Sequence, residues 1–469
     1  MTDTRIETDA MGDMPVPADA LYGASTARAV ENFPISGWTM PREFLRALAQ
    51  IKAAAAAAHR QARRLDPALA DAIIAAAREI VDGKLPLGSL EKHFPVDVFQ
   101  TGSGTSTNMN ANEVIANRAC QLLGASAGDK ARVHPNDHVN MGQSSNDVIP
   151  TALHVSAAVA IRKSLIPALR ALQDALTAKA KEFDSVVKIA RTHLMDAVPV
   201  RLGQEFSGYA AQIDGAIRGL APALDRLCEL AIGGTAVGTG LNAPAGFAQQ
   251  VCTQLVQDTG LPFRPAANYF EALAARDAAL YASGALKSVA IAMGKIASDI
   301  RLLGSGPRCG LGELSLPATQ PGSSIMPGKV NPVLCESVIQ VACQVVGCDA
   351  AITAGATGGV GGLLDLNVAV PLIAVNLLTA IRLLSSAALA FTSKCIYGLA
   401  ANESRCRELI EQSLSLVTVL APRIGYDRAA ALAKQAALTG QTIRQVCLEQ
   451  NVLLAEELNA LLDARAQTE

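Results

Sequence analysis

The amino-acid sequence predicts an all-α protein with an elongated central bundle of long helices, flanked by two smaller, mainly helical domains. Half of the 469 residues are apolar and only 4% are aromatic. Alanine dominates the apolar half, and it combines the highest helix propensity with close helix packing. Several apolar stretches are long enough for helices of about 30 residues, which would extend about 45 Å. Many close-packed long helices therefore fit this composition better than a β-sandwich.

The predicted elements fall into three domains. Residues 1–141 begin with loops and turns over the first 45 residues, followed by helix from Pro41 to about Val81 and from Asn108 to Leu123. Residues 142–400 carry the long helices, which are predicted at Val155–Phe183, within Asp196–Ala231, and at Tyr269–Leu303, Asn331–Ile352 and Ala369–Ala390. Residues 401–469 form a small helical domain, with helix starts at Asp427 and Thr442 and a stop at Gly440.

Charge, cysteine usage and the first residues exclude several classes. A net charge of −2 leaves no basic face, so a nucleic-acid partner is not expected. The ten cysteines are scattered without a CxxC pair, which predicts reduced thiols and no metal or cofactor. The segment Met1–Glu7 carries acids and no apolar core, so we expect no targeting peptide there and a cytoplasmic location.

One segment, Pro371–Phe391, is apolar and about long enough to span a bilayer. It contains Asn376 and Arg382, which are costly in lipid. A helix at the centre of a large bundle is also apolar on all sides. The sequence therefore favours a buried helix over a membrane span.

Polar residues collect in four interruptions of the apolar chain, each at the end of a predicted helix. They are Thr101–Asn108, Gln143–Asp147, Arg191–Leu194 and Gly322–Pro332. Helix N-termini and free backbone N–H groups bind anions, and His193 and Lys329 would add positive charge. Together the segments predict a site for a small carboxylate-bearing molecule. Any one of them alone is typical of ordinary caps and loops, but the long, glycine-punctuated Gly322–Pro332 segment is typical of a lid or binding loop.

The string Gly322–Pro332, GSSIMPGKVNP, resembles the signature of the fumarase/aspartase superfamily. The resemblance extends from about Arg5 to about Leu462 and is closest to the class II fumarate hydratases, which need no metal. It includes Thr101–Asn110, His134–Asp137, Gln143–Asp147, Arg191–Leu194, Gly233–Asn242 and Ser305–Gly310. It implies a lyase that reversibly hydrates fumarate to malate by general acid/base chemistry, through a carbanion stabilised by the adjacent carboxylate.

The resemblance also implies a role for each site residue. Ser323 matches the base that takes the proton from C3 of malate, His193 acts with a water at the other end of the reaction, and Glu336 pairs with that histidine. The matches to substrate-binding positions are Ser103, Gly104, Thr105, Ser144, Ser145, Asn146, Thr192, Ser324, Lys329, Val330 and Asn331. A second carboxylate site is implied at His134, Pro135, Asn136 and Asp137. The family builds its active sites from three subunits of a homotetramer.

The implied chemistry agrees with elementary electrostatics. Removing a proton beside a carboxylate places a second negative charge on that carboxylate, and preorganised donors stabilise this state. Serine is a weak base, so its alkoxide needs support from Lys329 and loop amides. One such charge pair at about 4 Å and an effective dielectric of about 20 contributes about 4 kcal/mol. This free energy is enough to shift a pKa by about three units.

Two other functions remain open at this point. An aspartase-type ammonia lyase uses a similar scaffold, but aspartases usually have threonine at the position of Ser145, and the Arg308-Cys309 pair also favours the hydratase. A non-catalytic structural relative is the second alternative, and the intact Ser323, His193 and Lys329 argue against it. Departures from the family pattern bear on substrate preference, and they are Met195, Ala131 and a longer segment at 354–367.

Overall fold

The computed structural model describes residues 3–86 and 88–469, and these residues are mainly helical. The α-helices are Ala24–Asn32 (α1), Arg42–Gln61 (α2), Pro67–Asp82 (α3), Leu90–His93 (α4), Thr105–Leu122 (α5), Ser145–Ala160 (α6), Ile166–Glu182 (α7), Leu202–Leu227 (α8), Phe247–Thr259 (α9), Tyr269–Ala274 (α10), Asp277–Leu303 (α11), Val333–Ala356 (α12), Val370–Lys394 (α13), Glu403–Gln412 (α14), Ala421–Ile424 (α15), Tyr426–Thr439 (α16), Ile443–Glu449 (α17) and Ala455–Leu461 (α18). The predicted all-α class is confirmed.

The strands in the described residues are short and pair only two by two. They are Thr4–Asp9 (β1), Gly12–Pro17 (β2), Val187–Thr192 (β3), Met195–Arg201 (β4), Glu229–Leu230 (β5), Arg264–Pro265 (β6), Leu314–Ser315 (β7), Gly362–Leu363 (β8), Leu366–Asn367 (β9) and Ala400–Ala401 (β10). The pairs β1–β2, β3–β4, β7–β10 and β8–β9 are antiparallel, and β5–β6 is parallel.

Local sequence signals explain several helix ends. Asp66 caps α3 by accepting hydrogen bonds from the backbone N–H groups of Ala68 and Leu69, and Gly83 ends that helix in a left-handed conformation. Thr442 begins α17 with a capping box, and Gly440 ends α16, as the sequence predicts.

Other predicted boundaries are wrong. Asp427 does not cap α16, because that helix already begins at Tyr426 and places Asp427 in its first turn. The long segment predicted over Tyr269–Leu303 is two helices, α10 and α11, since Ala275 is extended. The first 45 residues contain the β1–β2 hairpin and α1 as well as loops.

The chain forms two compact units, each made of three segments. The first unit comprises Met1–Pro167, Gly219–Ser288 and Cys343–Leu384. The second unit comprises Ala168–Arg218, Val289–Ala342 and Ser385–Glu469. The division at residues 141 and 400 stays a prediction.

Each unit has its own apolar core. In the first unit, α2 packs against α3, α6 and α9. In the second unit, the helices from α14 to α18 enclose a cluster that includes Leu420, Val446 and Leu458. All ten cysteines are free, and only Cys309 and Cys343 are exposed.

Three helical segments are long and apolar enough to cross a membrane by length and composition, namely Ser145–Glu182, Val333–Ala356 and Val370–Gly398. Within the chain, 61%, 39% and 50% of their most apolar windows are buried, respectively. A large part of the most apolar windows of the last two segments is therefore not buried within the chain.

Candidate active site

The first group of predicted site residues lies at the turn that begins α5, in the first unit. Gly104 has a φ of 75°, and a Cβ there would lie 2.7 Å from the side chain of Ile149. Only glycine avoids both the strained conformation and this contact. The turn places Ser103 Oγ 2.8 Å from Thr105 Oγ1, with Ser103 buried and Thr105 half-buried. Two hydroxyl groups are thus held side by side at a helix N-terminus.

The second group begins α6 in the same unit. Ser144 is the N-cap, and its Oγ accepts a hydrogen bond from the backbone N–H of Asn146. Ser145 Oγ accepts from Asn108 Nδ2 at 3.0 Å, and Asn146 Nδ2 donates to the carbonyl oxygen of Ala236 at 2.8 Å. These contacts tie Ser144–Asn146 to α5 and to the Gly233–Asn242 segment.

The carboxylate of Asp147 connects the start of α6 to the Gly233–Asn242 segment, a role that sequence reasoning missed. Its carboxylate is fully buried and accepts from the backbone N–H groups of Ser144, Gly233 and Thr235 at 2.9, 3.0 and 3.0 Å. Burial raises the pKa of Asp147 to about 6, while the three backbone N–H groups act in the opposite direction. The signal in the sequence is the aspartate three residues after Ser144, which completes a capping box.

Replacing Asp147 with alanine should destabilise the protein by at least about 3 kcal/mol, because two buried N–H groups and one partly buried N–H group lose their acceptor. The unfolding midpoint in urea measures this effect. Asp66→Ala is the matched control, since it removes an exposed cap from α3 and should cost only about 1 kcal/mol. Equal losses in the two variants would show that Asp147 is an ordinary cap.

Lys52 is the second residue that sequence reasoning missed. It lies in the alanine-rich α2, is fully buried, and donates to Asn140 Oδ1 and Gln143 Oε1 at 2.8 and 3.0 Å. Burial lowers the pKa of Lys52 to about 7, and the negative charge of Asp147 acts in the opposite direction. A single lysine in a run of alanines carries no periodic signal, so its position is visible only in the fold.

In the second unit, Thr192 and His193 lie at the tip of the β3–β4 hairpin. The prediction that Arg191–Leu194 ends a helix is therefore wrong. Thr192 pairs with Met195, and the two turn residues, His193 and Leu194, have φ values of 57° and 62°. This is the backbone of a type I′ turn, which normally favours Asn-Gly. Left-handed backbone costs a non-glycine residue about 1–2 kcal/mol, and such strain is typical of functional sites.

Buried ion pairs hold the base of this hairpin. Arg191 Nη1 lies 2.8 Å from Glu313 Oε2, and the buried Lys188 donates to Glu205 Oε1 at 2.9 Å. Glu313 is fully buried and also lies 3.6 Å from Lys188 Nζ. Because a buried charge that loses its partner is strongly destabilising, these contacts fix the hairpin although its tip is exposed.

The Gly322–Pro332 segment is a closed loop in the second unit. The backbone N–H of Gly322 donates to the carbonyl oxygen of Lys329 at 2.8 Å, and Asn331 Nδ2 donates to the carbonyl oxygen of Gly322 at 2.6 Å. A Cβ at Gly322 would lie 2.4 Å from the Lys329 carbonyl oxygen, so closure requires glycine. Ser324, Lys329 and Val330 are exposed on this loop.

Ser323 has a polarised environment inside the loop. Its Oγ accepts hydrogen bonds from the backbone N–H groups of Ile325 and Met326 at 3.2 and 3.0 Å. Two N–H donors aimed at one oxygen favour its negatively charged form. A negative charge on Ser323 Oγ would therefore be stabilised by these two N–H groups of the loop.

The remaining catalytic candidates, His193 and Glu336, have no partner of the predicted kind in the part of the chain that the structure describes. Among the described residues, no hydrogen bond or ion pair joins His193 to Ser323 or to Glu336. Glu336 is half-buried in the first turn of α12. Ser103–Thr105 and Ser144–Asn146 belong to the first unit, whereas Thr192–His193 and Ser323–Asn331 belong to the second.

The segment predicted as a second carboxylate site forms a short π-helix, Pro135–Val139, in the first unit. His134 caps it, and His134 Nδ1 accepts from the backbone N–H groups of Asn136 and Asp137. The same nitrogen lies 3.4 Å from Oδ2 of the exposed Asp137 carboxylate. A cleft of about 660 Å³ is lined by His134, Pro135 and Asn136 together with the cationic Arg28 and Lys130.

Comparison with known proteins agrees with this architecture. The family described as Lyase matches residues 12–347, and the family described as Fumarase C C-terminus matches residues 416–468. The class II fumarate hydratase of Rhizobium meliloti strain 1021 is 52% identical over 462 residues, which cover 98% of each chain. The mitochondrial fumarate hydratase of Mus musculus is 52% identical over 457 residues, which cover 97% of this chain and 88% of the mouse protein.

A solved structure shows the same fold. The class II fumarase of Schistosoma mansoni superposes with a TM-score of 0.93 at 42% identity, covering 99% of this chain and 98% of that one. The protein is thus a lyase by its family and fold. More narrowly, the chain belongs to the class II fumarate hydratase family.

Proposed function

We propose that this protein catalyses the reversible hydration of fumarate to malate, with Ser323 as the base at C3 and His193 acting with a water at the other end of the reaction. The observation that carries the proposal is the pair of backbone N–H donors to Ser323 Oγ. Two N–H donors stabilise the alkoxide form of this serine relative to a serine without such donors. Proton abstraction by a serine requires that alkoxide form. The ultraviolet absorbance of fumarate, followed with malate and separately with aspartate as substrate, tests the activity and the ammonia-lyase alternative together.

The substrate is a dicarboxylate, and the proposed contacts supply both directional donors and positive charge. Hydroxyl and amide groups at the starts of α5 and α6 face the positive end of two helix dipoles, which favours an anion there. Lys329 and Asn331 on the loop would hold the carboxylate that gains charge during the reaction. Thr192, Ser324 and Val330 complete the proposed contacts, and Glu336 would orient His193.

We propose that the active protein is a homotetramer whose sites combine residues of different subunits. Apolar side chains stand exposed beside the catalytic candidates, with 74% of Leu194, 70% of Met195 and 83% of Ile325 accessible. The helices Val333–Ala356 and Val370–Gly398 also keep half or more of their most apolar windows uncovered. Closed symmetry covers such faces with other copies of the same chain. Light scattering tests the tetramer directly.

The location we propose is the cytoplasm. The ten free cysteines fit a reducing compartment of this kind. Cell fractionation tests the proposal, because the Mus musculus relative is named as mitochondrial.

Hydration activity should survive incubation with EDTA. In the described part of the chain, no group of three or more His, Cys, Asp and Glu side chains is arranged to hold a metal ion. The proposed chemistry assigns charge stabilisation to Lys329, backbone N–H groups and helix termini instead. Initial rates before and after chelation measure this. Loss of activity that a divalent metal restores would contradict the proposed mechanism.

A further inference from the structure

A buried lysine, Lys52, is connected through hydrogen bonds to Ser145, one of the proposed substrate-binding residues of the first unit. Lys52 Nζ donates to Asn140 Oδ1 and to Gln143 Oε1, and no carboxylate of the described residues bonds to it directly. The negative charge of Asp147 acts on Lys52 without a direct hydrogen bond between the two side chains. Burying an ammonium group costs free energy that burying an apolar side chain would not.

The lysine fixes which way two amide groups point. In its protonated form, Lys52 has hydrogen-bond donors and no acceptor, so the oxygens of Asn140 and Gln143 must face it. The hydrogen bonds of the two amide NH2 groups are consistent with this orientation. Asn140 Nδ2 donates to the carbonyl oxygen of Gln143 at 3.2 Å, and Gln143 Nε2 donates to the carbonyl oxygens of Val139 and Met141.

The orientation of the Asn140 amide determines the hydrogen bonds of Asn108 and, through Asn108, those of Ser145. Asn140 Oδ1 also accepts from Asn108 Nδ2 at 3.2 Å, and the same Nδ2 donates to Ser145 Oγ at 3.0 Å. Asn108 Oδ1 is buried and has no hydrogen-bond partner in the described residues. Ser145 Oγ is therefore an acceptor towards the protein, which leaves its O–H free to donate elsewhere.

We propose that Lys52 is a positioning residue that fixes the direction of the hydrogen bonds from Asn140 through Asn108 to Ser145, so that the Ser145 hydroxyl proton is kept for a carboxylate oxygen of the substrate. Without Lys52, only the 3.2 Å hydrogen bond from Asn140 Nδ2 to the carbonyl oxygen of Gln143 opposes reversal of the Asn140 amide. A reversed Asn140 would present Nδ2 to Asn108. Asn108 would then present Oδ1 to Ser145, and the serine proton would be used inside the protein. The inference rests on the proposed function, because it takes Ser145 to contact fumarate or malate.

Lys52→Met tests the proposal through steady-state kinetics. Losing one charge-assisted contact to the substrate should raise KM for fumarate about tenfold and leave kcat nearly unchanged, since the contact is made in both the ground state and the transition state. Lys179→Met is the matched control, because Lys179 is also buried but donates to Glu182 and the Leu399 carbonyl oxygen in the second unit. The control should keep the wild-type KM.

A Ser145→Ala background separates positioning from general stability. If Lys52 acts through Ser145, then Lys52→Met adds less than about twofold to KM when Ser145 is already alanine. A merely structural role would raise KM by the same factor in both backgrounds. Lys52→Arg, which also carries only donors, should restore a KM near that of the wild type.

Asn108→Asp keeps the inference testable if Lys52→Met does not fold. The carboxylate cannot donate, so Ser145 must give its proton to it, and KM should rise as much as in Ser145→Ala. A wild-type KM in Asn108→Asp, or in a folded Lys52→Met, overturns the inference while leaving the proposed function intact. A wild-type protein that does not hydrate fumarate overturns the proposed function instead.

Discussion

Ser323→Ala should lower kcat for malate dehydration by about 10²–10⁴, the range expected for loss of a positioned general base. The alanine variant should still fold, because within the described residues the Ser323 hydroxyl oxygen accepts only two hydrogen bonds, both from N–H groups of its own loop. The loop keeps its closure through Gly322, Lys329 and Asn331. Circular dichroism and light scattering on the same sample show that the loss comes from the chemistry.

Ser393→Ala is a suitable control for this experiment. Its hydroxyl is exposed and bonds only to carbonyl oxygens within α13, so turnover should be unchanged. Near-normal turnover in Ser323→Ala would show that another group takes the proton, and the assignment of the base would have to be abandoned.

His193→Asn should lower kcat more than it raises KM, because the proposed role of His193 is in the chemistry and not in uniform binding. Asparagine also tolerates the left-handed backbone that this position requires, so the turn should persist. Full kinetics on this variant separate the two parameters. A change confined to KM would make His193 a binding residue.

Hybrid tetramers test whether these two residues meet across subunits. Inactive Ser323→Ala and His193→Asn proteins are unfolded, mixed and refolded together. If each site takes Ser323 from one chain and His193 from another, then about a quarter of the sites in random hybrids combine both intact residues, and activity returns. Verified hybrids that stay inactive, or a fully active monomer, would contradict the shared site. Refolding each variant alone is the control.

Features that depend on a few neighbouring residues could be predicted from the sequence. The helical class follows from the alanine-rich apolar stretches. Thr442 begins α17 through its capping side chain, and Gly440 ends α16 because it lacks one. The Gly322–Pro332 loop was recognisable because its string is so specific, and its closure depends on a glycine within that string. In each case the physical cause is local, so the sequence contains it.

The β3–β4 hairpin shows why other features could not be predicted. Lys188 and Arg191 give β3 a polar pattern that does not alternate between apolar and polar residues. Lys188 pairs with Glu205, and Arg191 pairs with Glu313, which lies 122 positions later in the chain. The turn itself has His-Leu where a type I′ turn normally has Asn-Gly. Tertiary contacts override both local preferences, which is why a helix end was predicted there.

The sequence by itself determined the helical class, the family and the chemical groups available to the site. Only the tertiary structure decided which of these groups are buried and in which direction their hydrogen bonds run. Lys52 and Asp147 are 95 positions apart, and each acquires its shifted pKa only when folding removes both from water. Desolvation and hydrogen-bond direction depend on neighbours distant in the chain, so no local pattern encodes them.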